Sequence, residues 1–182
     1  TRQGMNAQEF ARAKIDLRRK LGALDAELDR YLAGEYGIQA DSPKQKAAFE
    51  KWKASHQPFH WFVEFFGIGR DGGFDVIIGN PPYIEYAEVR RRYTVGDYRT
   101  EPCGNLFAFV WERCLGLTSQ DGRTGLIVPV ASVCTDRYAP LQELLRRTGT
   151  CVVSSFNDRP SRLFEGLEHS RLCIILHERK QL

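Results

Sequence analysis

The chain has 182 residues, 42% apolar and 12% aromatic, which suits one domain with a real core and excludes a disordered tail. Lys and Arg number 26 against 23 Asp and Glu, and the resulting charge of +3 permits nucleic-acid binding without arguing for it. No apolar run approaches the ~18 residues of a membrane span and no signal-peptide pattern is present, so the expectation is a cytoplasmic chain with no membrane partner.

Ile15, Leu17, Leu21, Leu24, Leu28 and Leu32 recur mostly at three- and four-residue steps, with Arg18, Arg19, Lys20, Asp25, Glu27 and Asp29 between them. That pattern predicts an amphipathic helix, whose stripe is either ordinary core or an interaction surface. Gly34, Gly37 and Pro43 mark its end, and a second helix is predicted from Lys44 to about Ser55 through Ala47, Phe49 and Trp52. Residues 1–56 therefore read as a helical segment, a hairpin or a linker, ahead of 57–182. His56 and His60 lie four apart, but Pro58 interrupts a helix between them and no Glu accompanies them, so no metal site is predicted. Gly67-Ile68-Gly69-Arg70-Asp71-Gly72 fits a dinucleotide glycine pattern, yet it leads into a strand where a cofactor loop must follow one. It reads as a flexible turn.

Phe74-Asp75-Val76-Ile77-Ile78-Gly79 predicts a strand covered on both faces, and the prolines of Asn80-Pro81-Pro82-Tyr83 end it abruptly. Ligands of open α/β sheets bind beyond the carboxyl ends of strands, so Asn80 and Tyr83 are expected in a crevice. The Asn80 side-chain oxygen and the Pro81 carbonyl present two acceptors that can grip an NH2 group, and Tyr83 offers a π-face for a planar base or amide. An Asn-Pro turn with the tyrosine packed as a lid is the plainer alternative.

Glu85 to Pro102 is polar and carries Arg90, Arg91, Arg92 and Arg99 among Tyr86, Tyr93 and Tyr98, a mixture suited to phosphate pairing and base stacking or simply to a solvated face. Asn105 to Thr118 predicts a helix. Gly122 and Gly125 bracket a turn before the strand 126–130, a helix follows from about Tyr138 to Arg147, and strands are predicted at 151–156 and 172–177. This alternation predicts an α/β fold with a mainly parallel sheet. In the loop 157–166, Phe164 either caps the sheet or faces a ligand, and Arg159 and Arg162 contact phosphates or pair with Asp158 and Glu165. Cys103, Cys114, Cys134, Cys151 and Cys173 show no paired spacing and read as free thiols, with neither zinc nor a disulfide framework.

The string 72–83 resembles the amino-methyltransferases that use S-adenosylmethionine, most of all the adenine-specific DNA methyltransferases of the type IIG restriction-modification kind and their phage-defence relatives. Segments 58–65, Asn105-Leu106-Phe107, Glu112-Arg113, Gly125 to Pro129 and Arg162 to Gly166 keep that family's order. The resemblance implies a partial Rossmann-like methyltransferase fold comprising its later strands, the last antiparallel, behind N-terminal helices. It implies methyl transfer to a flipped adenine with Asn80, Pro81, Pro82 and Tyr83 catalytic, Tyr83 and Phe164 stacking on the base, and Asn80, Asn105 and Phe107 at the cofactor. Arg90, Arg91, Arg92, Arg159 and Arg162 would meet double-stranded DNA.

The family's opening strand, its glycine-rich turn and its ribose-holding acid are missing, and the first residue is Thr. The expectation is the carboxyl-terminal half of a catalytic domain, with an incomplete cofactor pocket and the rest of the same polypeptide as partner. Two other readings stay open: a protein glutamine methyltransferase, since the tetrapeptide grips a carboxamide equally well, and a non-catalytic fragment that binds DNA or a partner. No nuclease cluster is evident, and Glu178-Arg179-Lys180 reads as a solvated tail.

Overall fold

Asn6 and Glu9 open the first helix with a reciprocal cap: the Glu9 amide donates to Asn6 Oδ1 at 2.8 Å, and the Asn6 amide donates to Glu9 Oε2 at 3.1 Å. In this computed structural model, which describes residues 6–93, 95–157, 163–164 and 171–180, that cap starts α1 (Ala7–Glu35) well before the predicted stripe. Helices α2 (Lys46–His56) and α3 (Trp61–Glu64) belong with α1 to a first unit ending at Gly67, and the chain from Ile68 forms a second.

A buried carboxylate ties the first unit together. Asp29, 2% exposed, accepts from the Lys53 ammonium of α2 and from His60 Nε2 at 2.8 Å, just ahead of α3. Burial pushes the Asp29 pKa up, but the hydrogen bonds from Lys53 and His60 outweigh it and hold the carboxyl below its ordinary range. Trp52 packs nearby among Tyr36, Phe49 and His56. Phe10, Ile15, Leu17 and Leu24 are exposed, so much of the predicted α1 stripe is not core.

The glycine-rich stretch becomes a short helix, α4 (Phe66–Arg70), which spans the boundary at Gly67, followed by a turn. Gly73 has φ +115°, and a Cβ there would lie 2.6 Å from the Leu117 carbonyl oxygen, so only glycine fits. The elements then follow as β1 (Phe74–Gly79), α5 (Tyr86–Val89), α6 (Leu106–Leu117), β2 (Thr118–Pro129), α7 (Ala131–Cys134), α8 (Ala139–Thr148), β3 (Gly149–Phe156) and β4 (Leu172–Arg179).

The sheet order is β1-β2-β4-β3. β1 and β2 pair in parallel, and β4 runs antiparallel to both β2 and β3. The α/β class and the antiparallel last strand agree with expectation. Three strands share one direction, yet the insertion of β4 between β2 and β3 leaves the sheet mixed in its pairings. β2 starts earlier than predicted because residues 119–122 bulge out of the ladder: Phe74 faces Thr118, and Val76 already faces Arg123.

One face of this sheet carries the core. Phe107, Ala108, Trp111 and Leu115 fall on one side of α6, pack with Leu141 and Leu145 of α8, and meet Leu126, Val128, Cys173 and Ile175 of the strands. On the other face Val76, Ile78, Val152 and Leu176 are 60%, 80%, 62% and 54% exposed around a hollow of about 380 Å³. This corrects the expectation that β1 is covered on both faces, because α6 and α8 lie on a single side. For Glu178-Arg179-Lys180 the expectation of a solvated tail is corrected in part: Glu178 and Lys180 are exposed, but Glu178 and Arg179 end β4, Glu178 pairs with Arg123 at 2.5 Å, and the Arg179 guanidinium donates to the Leu115 carbonyl at 3.0 Å and to the Thr118 carbonyl. A β-strand end thereby satisfies the last carbonyls of α6. All five cysteines are free, and burial pushes the Cys114 thiol up to about 11, which keeps it unreactive.

Replacing Asp29 with Ala should destabilise the first unit by about 2 kcal/mol, because Lys53 and His60 lose their shared acceptor. Hydrogen exchange in α1 and α2 should accelerate while β2 and β4 keep their protection. His177 sits buried on β4 with Nε2 donating to the Leu145 carbonyl at 3.2 Å, while Nδ1 has no partner. Burial holds its pKa below the ordinary 6.5. Below about pH 6.5 the unfolded chain takes up a proton that the folded chain refuses, so this contribution to stability is complete above that pH and declines as pH drops toward the depressed folded value. Melting temperature measured against pH should show this decline, and His177→Gln should flatten it.

Candidate functional site

β1 leaves the sheet at Gly79, and Asn80-Pro81-Pro82-Tyr83 forms the irregular corner beyond its carboxyl end. Asn80 and Pro82 are exposed, Pro81 is buried and Tyr83 is half-buried. The fixed φ of two successive prolines stiffens the turn and removes two N–H donors from it. The Tyr83 hydroxyl then ties it down, donating to Asn80 Oδ1 at 2.5 Å and lying 3.1 Å from the Ile127 carbonyl on β2. Burial pushes the phenol pKa up, so it remains a protonated donor at neutral pH.

Behind the corner stands an aromatic wall. The Tyr83 ring meets Phe107 edge-on at 6.4 Å and 84°, and Phe107 lies 5.1 Å from Tyr138. Asn105 caps α6 by accepting from the Phe107 amide at 3.4 Å, and its Nδ2 donates to Glu85 Oε1 at 3.1 Å. Asn105 is 5% exposed and Phe107 is fully buried. The structure thus brings both residues to the corner, but on its inner side, whereas Asn80 is at the surface.

The polar stretch after the corner is pinned to α6. The Arg99 and Thr100 amides donate to the Glu112 carboxylate at 3.1 and 2.9 Å, and Thr100 Oγ1 adds a third bond at 2.9 Å. The Val95 amide donates to the Tyr86 hydroxyl at 3.1 Å, while the Tyr86 and Tyr98 rings pack on Phe109 at 5.3 and 5.6 Å. Arg90, Arg91 and Arg92 are exposed at the end of α5 and in the turn beyond it. Phe164 is 37% exposed, but the neighbouring Arg159 and Arg162 lie outside the described residues. No ring pairing or hydrogen bond joins Phe164 to Tyr83 among the described residues.

Glu85, Glu112 and Arg137 hold this region together and were not singled out as site residues by sequence reading. For Asn105 a signal existed, since an Asn directly before an apolar helical run is an N-cap pattern. Glu112 and Arg137 carry no such signal. Among the described residues no group of three His, Cys, Asp or Glu side chains could hold a metal ion, and no helix is long and apolar enough to cross a membrane. Chemically, the corner offers an exposed carboxamide beside a half-buried ring, an arrangement that can accept hydrogens from a planar amine and stack on its face. Tyr83→Phe should retain the ring contact with Phe107 and lower stability by about 1 kcal/mol through loss of the shared hydroxyl proton. Thermal melting of the two proteins measures the difference.

The profile of the Eco57I restriction-modification methylase family matches residues 8–160, which span the elements from α1 to β3. A protein of Methanocaldococcus jannaschii named as a type II restriction enzyme and methyltransferase is 32% identical over 131 residues, covering 72% of this chain. The chain spans about a tenth (10%) of that relative's length. The crystal structure of a class I S-adenosylmethionine-dependent methyltransferase from Listeria monocytogenes aligns over 61% of this chain and 33% of its own, with 16% identity and a TM-score of 0.43. With its strand-end corner, its α/β sheet and a profile match over most of its length, the chain belongs to the Eco57I restriction-modification methylase family.

Proposed function

We propose that the chain is the carboxyl-terminal half of the catalytic domain of an enzyme that moves a methyl group from S-adenosylmethionine to the N6 amine of an adenine flipped out of double-stranded DNA. The observation that carries this reading is the exposed carboxamide of Asn80 at the carboxyl end of β1, backed by the Tyr83 ring. The lone pair of the adenine amine is delocalised into its ring. Asn80 Oδ1 and the Pro81 carbonyl accept its two hydrogens, draw the nitrogen toward a tetrahedral arrangement and free that pair; as the new N–C bond forms, the bond from carbon to sulfur breaks with its electrons left on sulfur, and the methylated nitrogen then loses one proton to solvent, so no strong base is needed. On entry the amine displaces the Tyr83 hydroxyl from Asn80 Oδ1, and the phenol keeps the Ile127 carbonyl as its acceptor. Stacking on Tyr83 and Phe164 offsets the few kcal/mol that unstacking the base requires. Arg90, Arg91, Arg92, Arg159 and Arg162 pair with phosphates.

S-adenosylmethionine supplies an electrophilic methyl when bound. Of the residues expected to hold it, Asn80 fits by its exposure; Asn105 and Phe107 shape the wall from behind. The remainder of the polypeptide completes the pocket and covers Val76, Ile78, Val152 and Leu176, a reading supported by their exposure and by the small share of the relative that this chain spans.

The test is transfer of labelled methyl from S-adenosylmethionine to DNA by the full polypeptide and by its Asn80→Ala variant. Transfer should fall by on the order of 100-fold or more, in the range seen when a preorganised polar group is removed from an active site, with the melting temperature unchanged. Near-normal turnover by the variant would overturn the role of Asn80. Label on a protein glutamine instead of DNA would favour the glutamine reading. For the isolated chain, calorimetry should detect no binding of S-adenosylmethionine.

A further inference from the structure

Arg137 lies far along the chain from the tetrapeptide, in the single turn Asp136–Tyr138 before α8, yet its guanidinium reaches the segment that follows Tyr83. It donates to Glu85 Oε2, and its Nε donates to the Cys103 carbonyl at 2.8 Å. Glu85 also accepts from Asn105, the cap of α6. Backbone bonds run alongside: the Leu106 amide donates to the Ile84 carbonyl at 2.9 Å and the Tyr86 amide to the Gly104 carbonyl at 2.8 Å. Gly104, at φ +63°, makes room for the guanidinium, since a Cβ there would come within 3.0 Å of Arg137 Nη2.

These contacts form a closed circuit. Ring contacts lead from Tyr83 to Phe107 and on to Tyr138; Arg137 lies over the Tyr138 ring, 5.6 Å from its centroid, and its guanidinium returns to Glu85, two residues beyond Tyr83. A single cation therefore joins the segment that positions the corner to the turn that begins α6. The Arg137 hydrogen bond, followed by that from Asn105, holds the Glu85 carboxyl below its ordinary range, so the pair is charged at neutral pH. Both side chains are nearly half exposed, at 46% and 42%, and such pairs add little to global stability. Their effect is geometric. A catalytic group needs supporting residues to hold its position, and a displacement of about 1 Å lowers rates on the order of 100-fold.

We propose that Arg137, acting with Glu85, is a positioning residue for methyl transfer: it sets where Asn80 and Tyr83 stand without touching substrate, an inference that rests on the methyltransferase reading above. Wild type, Arg137→Ala, Arg137→Lys, Glu85→Gln and the Arg137→Ala/Glu85→Gln double variant are compared in the full polypeptide. The value of kcat for DNA should fall roughly 10- to 100-fold in Arg137→Ala and Glu85→Gln while KM for S-adenosylmethionine is unchanged, and the double variant should be no worse than either single one, because the two side chains act as a unit. Arg137→Lys, which keeps the charge but cannot reach Glu85 and Cys103 together, should fall between.

Hydrogen exchange supplies a readout independent of turnover. The peptide covering residues 84–88 should exchange about tenfold faster in Arg137→Ala, with β2 and β4 still protected. Unchanged kcat, unchanged exchange at 84–88, or exchange that accelerates throughout the sheet would each overturn the proposal. A wild-type enzyme that methylates no DNA overturns the functional reading instead, and exchange at 84–88 then still decides whether Arg137 holds this segment.

Discussion

Phe107 is fully buried in the first turn of α6, and the candidate site leans on it. Its ring supports Tyr83 on one side and Tyr138 on the other, while the helix that carries it also delivers Trp111 and Leu115 to the core of the sheet. The packing that stabilises the second unit is thus continuous with the packing that orients the corner. Protein interiors are close-packed and transmit strain, so a void at Phe107 would be felt at Asn80 although the two side chains serve different ends. Asn105 sets where this helix begins, which fixes the height of Phe107 against Tyr83.

The corner combines stiffness with a movable hydrogen bond. Two prolines limit the backbone, and the Tyr83 hydroxyl bridges two acceptors, one on the corner and one on β2. The β2 carbonyl is part of the framework and the Asn80 carboxamide is exposed. A donor arriving from outside can therefore replace the phenol at Asn80 without leaving the phenol unpaired, which avoids the penalty of a buried orphan donor. Pinning of the arginine-bearing stretch through Glu112 follows similar economy, because three donors of one loop converge on one carboxylate.

The two faces of the sheet explain where sequence reading misjudged the structure. Val76, Ile77 and Ile78 read as a strand buried on both sides, yet Ile77 packs toward the core while Val76 and Ile78 are exposed. Apolar residues on both faces of a strand state what the strand can bury and are silent on what lies against it. Arg179 was misread for the opposite reason. A charged tripeptide near the chain end looks solvated, but α6 ends beside β4 and presents carbonyls that a guanidinium can satisfy. The long α1 was legible in part: its periodic stripe announced a helix, but not its start, which the structure sets at the Asn6 and Glu9 cap.

Local chemistry was readable from the sequence alone: the α/β alternation, the strand that stops at Asn80, the diproline turn, the cysteines left as free thiols and the polar stretch bearing arginines. Each depends on residues near one another in the chain, where periodicity, capping and turn preference act. Tertiary structure decided which distant groups meet. The Tyr83 hydroxyl finds a carbonyl 44 positions away, Arg137 finds Glu85 across 52, and Lys53 and His60 converge on Asp29. Those encounters depend on strand order and helix packing, and side-chain polarity along a sequence carries no record of which partner the fold will place within hydrogen-bond reach.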